Sequence, residues 1–137
     1  MFVFTVIGNT ASVTKILYQP STQIIAHRGY TAEGVENTIS ALRAAKKANA
    51  DYVEMDILQT KDRQFVVIHD TNLERLARRN ENVSDLTLAE LQEIEVSANG
   101  FTDKIPSLEE YIAVAKEIDM KLVIEIKRIL KQAIDLG

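Results

Sequence analysis

The chain has 137 residues, 46% apolar and 26% charged, with a net charge of −4 and no cysteine. That length suits one domain with a real core. The composition excludes a disordered chain, disulfide or thiolate chemistry, and a basic nucleic-acid groove.

The opening stretch, MFVFTVIGNTASVTKILYQPS, stands apart. Its apolar run, Phe2 to Ile7, is far shorter than the ~20 residues a membrane span requires. No basic segment precedes it, as one would in a signal peptide. Residues 1–21 are therefore read as an N-terminal extension, either disordered or the end of a membrane segment whose beginning is missing. The second reading would tether the protein to a membrane, at its cytoplasmic or extracytoplasmic face. Residues 22–137 read as the folded unit.

TQIIAH (22–27) is short, rich in β-branched residues and bounded by polar ones, which predicts a buried strand. ENTISALRAAKKANA (36–50) predicts a helix, with Ile39, Leu42 and Ala45 on one stripe and Asn37 or Thr38 as N-cap. YVEMDIL (52–58) alternates strictly and predicts a strand. QFVVIHD (64–70) predicts another after the polar turn TKDRQ. Residues 71–106 form a long excursion with one small helix at TLAELQEI, opened by a Thr87–Glu90 capping box. Long insertions of this kind often carry function. SLEEYIAVAKEID (107–119) predicts a helix with a Ser107–Glu110 capping box and a core stripe of Leu108, Ile112, Ala115 and Ile118. KLVIEIK (121–127) predicts a fourth strand, and RILKQAIDLG the opening of a further helix. This order implies an α/β fold with a mostly parallel sheet.

The chemistry collects on the strands. His27 ends the first and His69 the third, and the chain has only these two histidines. Glu54 and Asp56 are two apart, so they share a face of the second strand. Glu125 lies near the end of the fourth, with Lys127 on the same face. Active sites of parallel α/β folds gather at C-terminal strand ends. A lone histidine at a strand end is more often a packing residue, but four strands ending in titratable groups is harder to assign to packing. Buried neighbouring carboxylates repel unless a cation or a shared proton joins them. Three carboxylates make an oxygen-only site, suited to Ca2+ or Mg2+ rather than Zn2+. The competing reading pairs Glu125 with Lys127 or Arg128. The histidines suit acid–base work near neutral pH, and Arg28 suits a phosphate. Together they suggest metal-assisted phosphoryl transfer.

The motifs HRG, ENT, EMD, HD, IPSLEE and EIK, in this order and spacing, resemble those of the glycerophosphodiester phosphodiesterase family over residues 23–127. The resemblance implies a TIM (β/α)8 barrel with a small insertion after the third strand, which 71–106 would be. It implies hydrolysis of glycerophosphodiesters to glycerol 3-phosphate and an alcohol. Glu54, Asp56 and Glu125 would ligate the cation. His27 and His69 would be the acid–base pair, and Arg28 and Lys127 would bind the phosphate. Glu36 and Asn37 match a motif beside this site. Two departures stand out: Val35 replaces the family's usual proline, and NLERLARRNENVSD replaces a Thr/Gly-rich start of the insertion. An eightfold barrel takes roughly 250 residues, so the chain is expected to supply about four strands, a half barrel. A homodimer completing the barrel is one expectation. A related phospholipase-D-like lipid phosphodiesterase and a non-catalytic fragment are the alternative functions.

Overall fold

The computed structural model of the chain describes residues 3–7 and 22–128. The elements are β1 (Val3–Ile7), β2 (Thr22–His27), α1 (Ile39–Lys47), β3 (Tyr52–Gln59), β4 (Phe65–Val67), α2 (Glu74–Ala77), α3 (Leu88–Gln92), β5 (Glu95–Ala98), β6 (Phe101–Lys104), α4 (Leu108–Glu117) and β7 (Lys121–Arg128). Of the extension expected at 1–21, the described part is β1, parallel to β2. The helix expected from residue 128 lies outside the described residues. No helix among them is long and apolar enough to cross a membrane.

β3 is the centre of the sheet. It pairs in parallel with β2, setting His27 beside Glu54, and with β7, setting Asp56 beside Glu125. The third predicted strand differs from expectation. Only Phe65–Val67 is strand, and it runs antiparallel to the end of β3, with Ile57 opposite Val67 and Gln59 opposite Phe65. The turn between them is five residues, too short for the crossover that a parallel pair needs. His69 therefore does not end a parallel strand. It arrives on a returning chain, with Ile68 N–H bonded to the Asp56 carbonyl at 3.0 Å.

Two apolar cores flank this arrangement. In the first, Ala26 from β2 and Val53, Met55 and Ile57 from β3 pack against Leu42 and Ala45 of α1 and against Tyr111 and Ala115 of α4. Each buried aliphatic side chain contributes about 1.5–3 kcal/mol. α1 starts where Thr38 caps it by accepting from the Ala41 N–H, and Lys46 and Lys47 complement the dipole of its last turn. Ser107 caps α4 by accepting from Glu110 N–H. The buried residues of α4 are Tyr111 and Ala115, so its stripe is rotated from the predicted one, and Ile112 is half-buried.

The second core lies under the excursion. Val35, Leu58, Val66 and Ile68 pack with Leu73, Leu76, Val83, Leu91, Ile94, Val96 and Ile105. The excursion is more ordered than predicted. The Thr87–Glu90 capping box is present in full at α3. A β5–β6 hairpin, which the sequence reading missed, turns through Asn99 (φ 54°) and Gly100 (φ 83°).

Candidate active site

β2 stops at His27 because the next two residues leave the extended region. Arg28 has φ 58° and Gly29 φ 85°. Gly29 is required twice over, since a Cβ there would also lie 2.8 Å from Ala41. The turn lets Arg28 N–H donate to the Glu54 carbonyl at 2.9 Å and to Glu54 Oε2 at 3.2 Å. A non-glycine residue held in the left-handed region costs about 1–3 kcal/mol. Asn37, at φ 59°, is held the same way. Its Nδ2 donates to Asp56 Oδ2 at 3.0 Å, and its Oδ1 accepts from Asp56 N–H at 3.2 Å. The buried Asp56 is thus clasped at both ends.

Carboxylate oxygens of Glu54, Asp56 and Glu125 lie within 4.8 Å of one another. His27 Nε2 is 3.7 Å from Glu54 Oε2. Arg28 Nε is 3.4 Å and Lys127 Nζ 3.5 Å from Asp56 oxygens. Lys127 Nζ also sits 2.6 Å from Glu125 Oε1, so the ion pair considered from sequence is present. It does not use up the acidic charge. Five carboxyl groups, Glu36, Glu54, Asp56, Asp70 and Glu125, stand against the three cationic side chains Arg28, Arg75 and Lys127.

The electrostatics agree. Burial, then the Asp56 charge, pushes the Glu54 carboxyl above its ordinary range. Glu54 Oε1 and Asp56 Oδ1 are buried without a hydrogen-bond donor, an expensive state for carboxylate oxygens. Hard oxygen donors, two of them unsatisfied, fit Ca2+ or Mg2+. The hydrogen bond from Lys127 holds Glu125 below the usual range and raises Lys127. Burial, then the Arg28 charge, lowers His27, so its ring is neutral near pH 7.

His69 is joined to a group that the sequence reading left without a role. Its Nδ1 is 2.7 Å from Asp70 Oδ1. Arg75 Nε donates to Asp70 Oδ2 at 2.6 Å, and its Nη2 and Nη1 donate to Glu36 Oε1 and Oε2 at 2.6 and 3.0 Å. Glu36 Oε1 in turn accepts from Arg28 Nη1 at 3.1 Å. Burial pushes Glu36 up, but the hydrogen bonds and charge of Arg75, with Arg28, hold it below its ordinary value. Asp70 lay in plain sight next to His69. Arg75 showed only the position expected of a surface helix residue. Tyr111, also missed, is buried with its hydroxyl unbonded, and burial followed by the Glu54 charge raises its pKa.

The nine residues singled out from sequence, His27, Arg28, Glu36, Asn37, Glu54, Asp56, His69, Glu125 and Lys127, come from β2, β3 and β7 and from the loops that follow β2 and β4. Chemically, such a cluster of carboxylates, guanidinium, ammonium and imidazoles can take up a hard cation and an anionic, oxygen-rich ligand. The comparisons with known proteins are specific. Residues 27–135 match the glycerophosphoryl diester phosphodiesterase family, and the chain belongs to that family. It is 44% identical over 110 residues to YhdW of Bacillus subtilis, covering 76% of this chain and 44% of YhdW. A glycerophosphodiester phosphodiesterase of Caldanaerobacter subterraneus is 37% identical, with 77% and 45% covered. The structure of an Oleispira antarctica phosphodiesterase in complex with the product sn-glycerol-3-phosphate superposes with a TM-score of 0.70 at 31% identity, over 77% of this chain and 44% of that one. The chain thus spans less than half the length of these relatives.

Proposed function

We propose that this chain carries the metal-binding and acid–base residues of a glycerophosphodiester phosphodiesterase, on strands that correspond to the first part of a (β/α)8 barrel. The convergence of His27, Arg28 and Lys127 on the Glu54–Asp56–Glu125 cluster carries this reading. The substrate is a glycerophosphodiester and the products are glycerol 3-phosphate and an alcohol, consistent with the product bound by the Oleispira relative.

Glu54, Asp56 and Glu125 would hold the divalent cation, which would supply charge stabilisation for an anionic phosphoryl group. Arg28 and Lys127 bind its oxygens from the protein side. His27, neutral near pH 7, takes the proton from the glycerol 2-hydroxyl. The hydroxyl oxygen bonds to phosphorus, the bond from phosphorus to the alcohol oxygen breaks, and His69 protonates the departing alkoxide. The two histidines exchange roles as water opens the cyclic phosphate. A cleft of about 460 Å3 is lined by His69, Asp70, Thr71, Asn72, Glu74 and Arg75, beside the histidine proposed to protonate that alcohol.

The test is release of glycerol 3-phosphate from glycerophosphocholine by the 137-residue chain, with Ca2+ or Mg2+ and with chelator. Cation-dependent release that His69→Ala abolishes supports the reading. Folded, cation-loaded chain without turnover favours a non-catalytic role. Val123, Ile124 and Ile126 are exposed on β7. Pairing of two copies along the edge of that strand would engage its unpaired backbone groups, and sedimentation reads the dimer directly.

A further inference from the structure

Two residues outside the proposed acid–base, phosphate and cation groups connect its parts. Asp70 follows β4, and Arg75 lies in the short helix α2 of the excursion. Asp70 reaches His69 with one oxygen and Arg75 with the other, at 2.7 and 2.6 Å. Arg75 spans to Glu36, on the loop between β2 and α1, through two further hydrogen bonds. Glu36 holds Arg28. One unbroken chain of charge-assisted bonds therefore runs from the His69 ring to the Arg28 guanidinium, across two segments that come from different cores.

We propose that Asp70 and Arg75 are positioning residues: a clamp from the excursion that holds His69 in its Nδ1–H tautomer and fixes it relative to Arg28. This rests on the proposed role of His69 in glycerophosphodiester hydrolysis. An ionised carboxylate only accepts hydrogen bonds, so the ring nitrogen facing Asp70 must carry the hydrogen. The Arg75 hydrogen bond holds the Asp70 carboxyl below its ordinary range, which keeps it ionised at neutral pH. Nε2 is then the nitrogen left to exchange a proton with substrate. Arg75 adds direction. A guanidinium presents only donors in a planar fork. The Asp70 oxygen facing it must accept, and that fixes which oxygen faces the ring.

The clamp makes an unusual prediction for Asp70→Asn. Because Arg75 demands an oxygen, the new amide must turn its NH2 towards His69. That donor forces the ring into the Nε2–H tautomer, with Nδ1 accepting. In Asp70→Asn/Arg75→Met the amide is released from that demand, can present its oxygen to the ring, and restores Nδ1–H. The measurement is long-range proton–nitrogen NMR on the chain labelled with 15N-histidine, above the range where the rings protonate. Expected are Nδ1–H in the wild type, Nε2–H in Asp70→Asn, and return to Nδ1–H in the double variant. Asp70→Asn should also lower kcat by about a hundredfold with little change in KM, the loss of one acid–base function. An Nδ1–H ring in Asp70→Asn overturns the proposal, and so does a double variant that matches the single one. The tautomers are read without turnover. If the wild type hydrolyses nothing but the tautomers switch as stated, the clamp stands and the functional reading falls. If turnover is present and the tautomers do not respond, the reverse holds.

Discussion

The two cores of this molecule do different work. The first joins β2 and β3 to α1 and α4, and it fixes Glu54, Asp56 and His27 on neighbouring parallel strands. The second packs the excursion against the far end of β3 and the residues around β4, and it presents His69, Asp70 and Arg75. The proposed cation ligands belong to the sheet, while half of the proposed acid–base pair, His69, lies on the chain between β4 and the excursion. The site lies at the seam. On the proposed roles, its cation binding depends on one core and its proton chemistry on both. The Arg75–Glu36 ion pair links the excursion to the loop between β2 and α1, and Glu36 passes the link on to Arg28.

Damage to each core should separate these roles. Leu42 and Leu91 are both fully buried, one in each core. Leu42→Ala should cost about 2–5 kcal/mol of global stability. Leu91→Ala should cost a similar amount locally, exposing amides of the excursion to hydrogen exchange while β2 and β3 stay protected. Equal loss of protection in both regions would mean a single cooperative core. Next in size, a saturating cation should stabilise the wild type by about 2.7 kcal/mol at a hundredfold excess over Kd. Leu91→Ala should retain that gain, because all three proposed ligands sit on β3 and β7; thermal melts with and without Ca2+ measure it.

Acid should act on the seam as well as on depressed carboxylates elsewhere, such as Asp62, Glu90 and Asp103. The folded pKa values of Asp70 and Glu36 are depressed, so their stabilisation is present above the unfolded carboxylate range near ~4 and is lost as pH falls through the lower folded values. Arg75→Met should make denaturant-measured stability fall less steeply in that window. The smallest effects compare two glycines of nearly equal φ. Gly29→Ala should cost roughly 1–3 kcal/mol, and more if Ala41 cannot yield, since the added Cβ meets Ala41 at 2.8 Å. Gly100→Ala, with nothing within 4 Å, should cost only the left-handed backbone penalty of about 1 kcal/mol. Urea titrations resolve the two.

The sequence was most legible where local chemistry and burial agree. Strand 22–27, the Thr38 cap of α1 and the Thr87–Glu90 box appear as read, because each is decided within a few residues. The alternation Glu54-Met55-Asp56 also named its own faces. The direction of β4 was misjudged because its apolar run looks the same in either orientation. Only the length of the turn before it carried the answer. The β5–β6 hairpin was announced by Asn99-Gly100, a pair suited to two left-handed positions, but it was hidden in a stretch read as irregular. Tyr111 could not be separated from Ile112 by periodicity, since each stands three or four residues from both Leu108 and Ala115. Arg75 was illegible because its partners, Glu36 and Asp70, come from two other segments.

Calorimetric titration of Ca2+ or Mg2+ into the wild-type chain and into Asp56→Asn tests the central claim most directly. The account predicts one saturable site in the wild type and its loss in the variant, which keeps the shape of the buried side chain but gives up its charge. A folded wild type that binds neither ion, or a variant that binds them equally well, would contradict it.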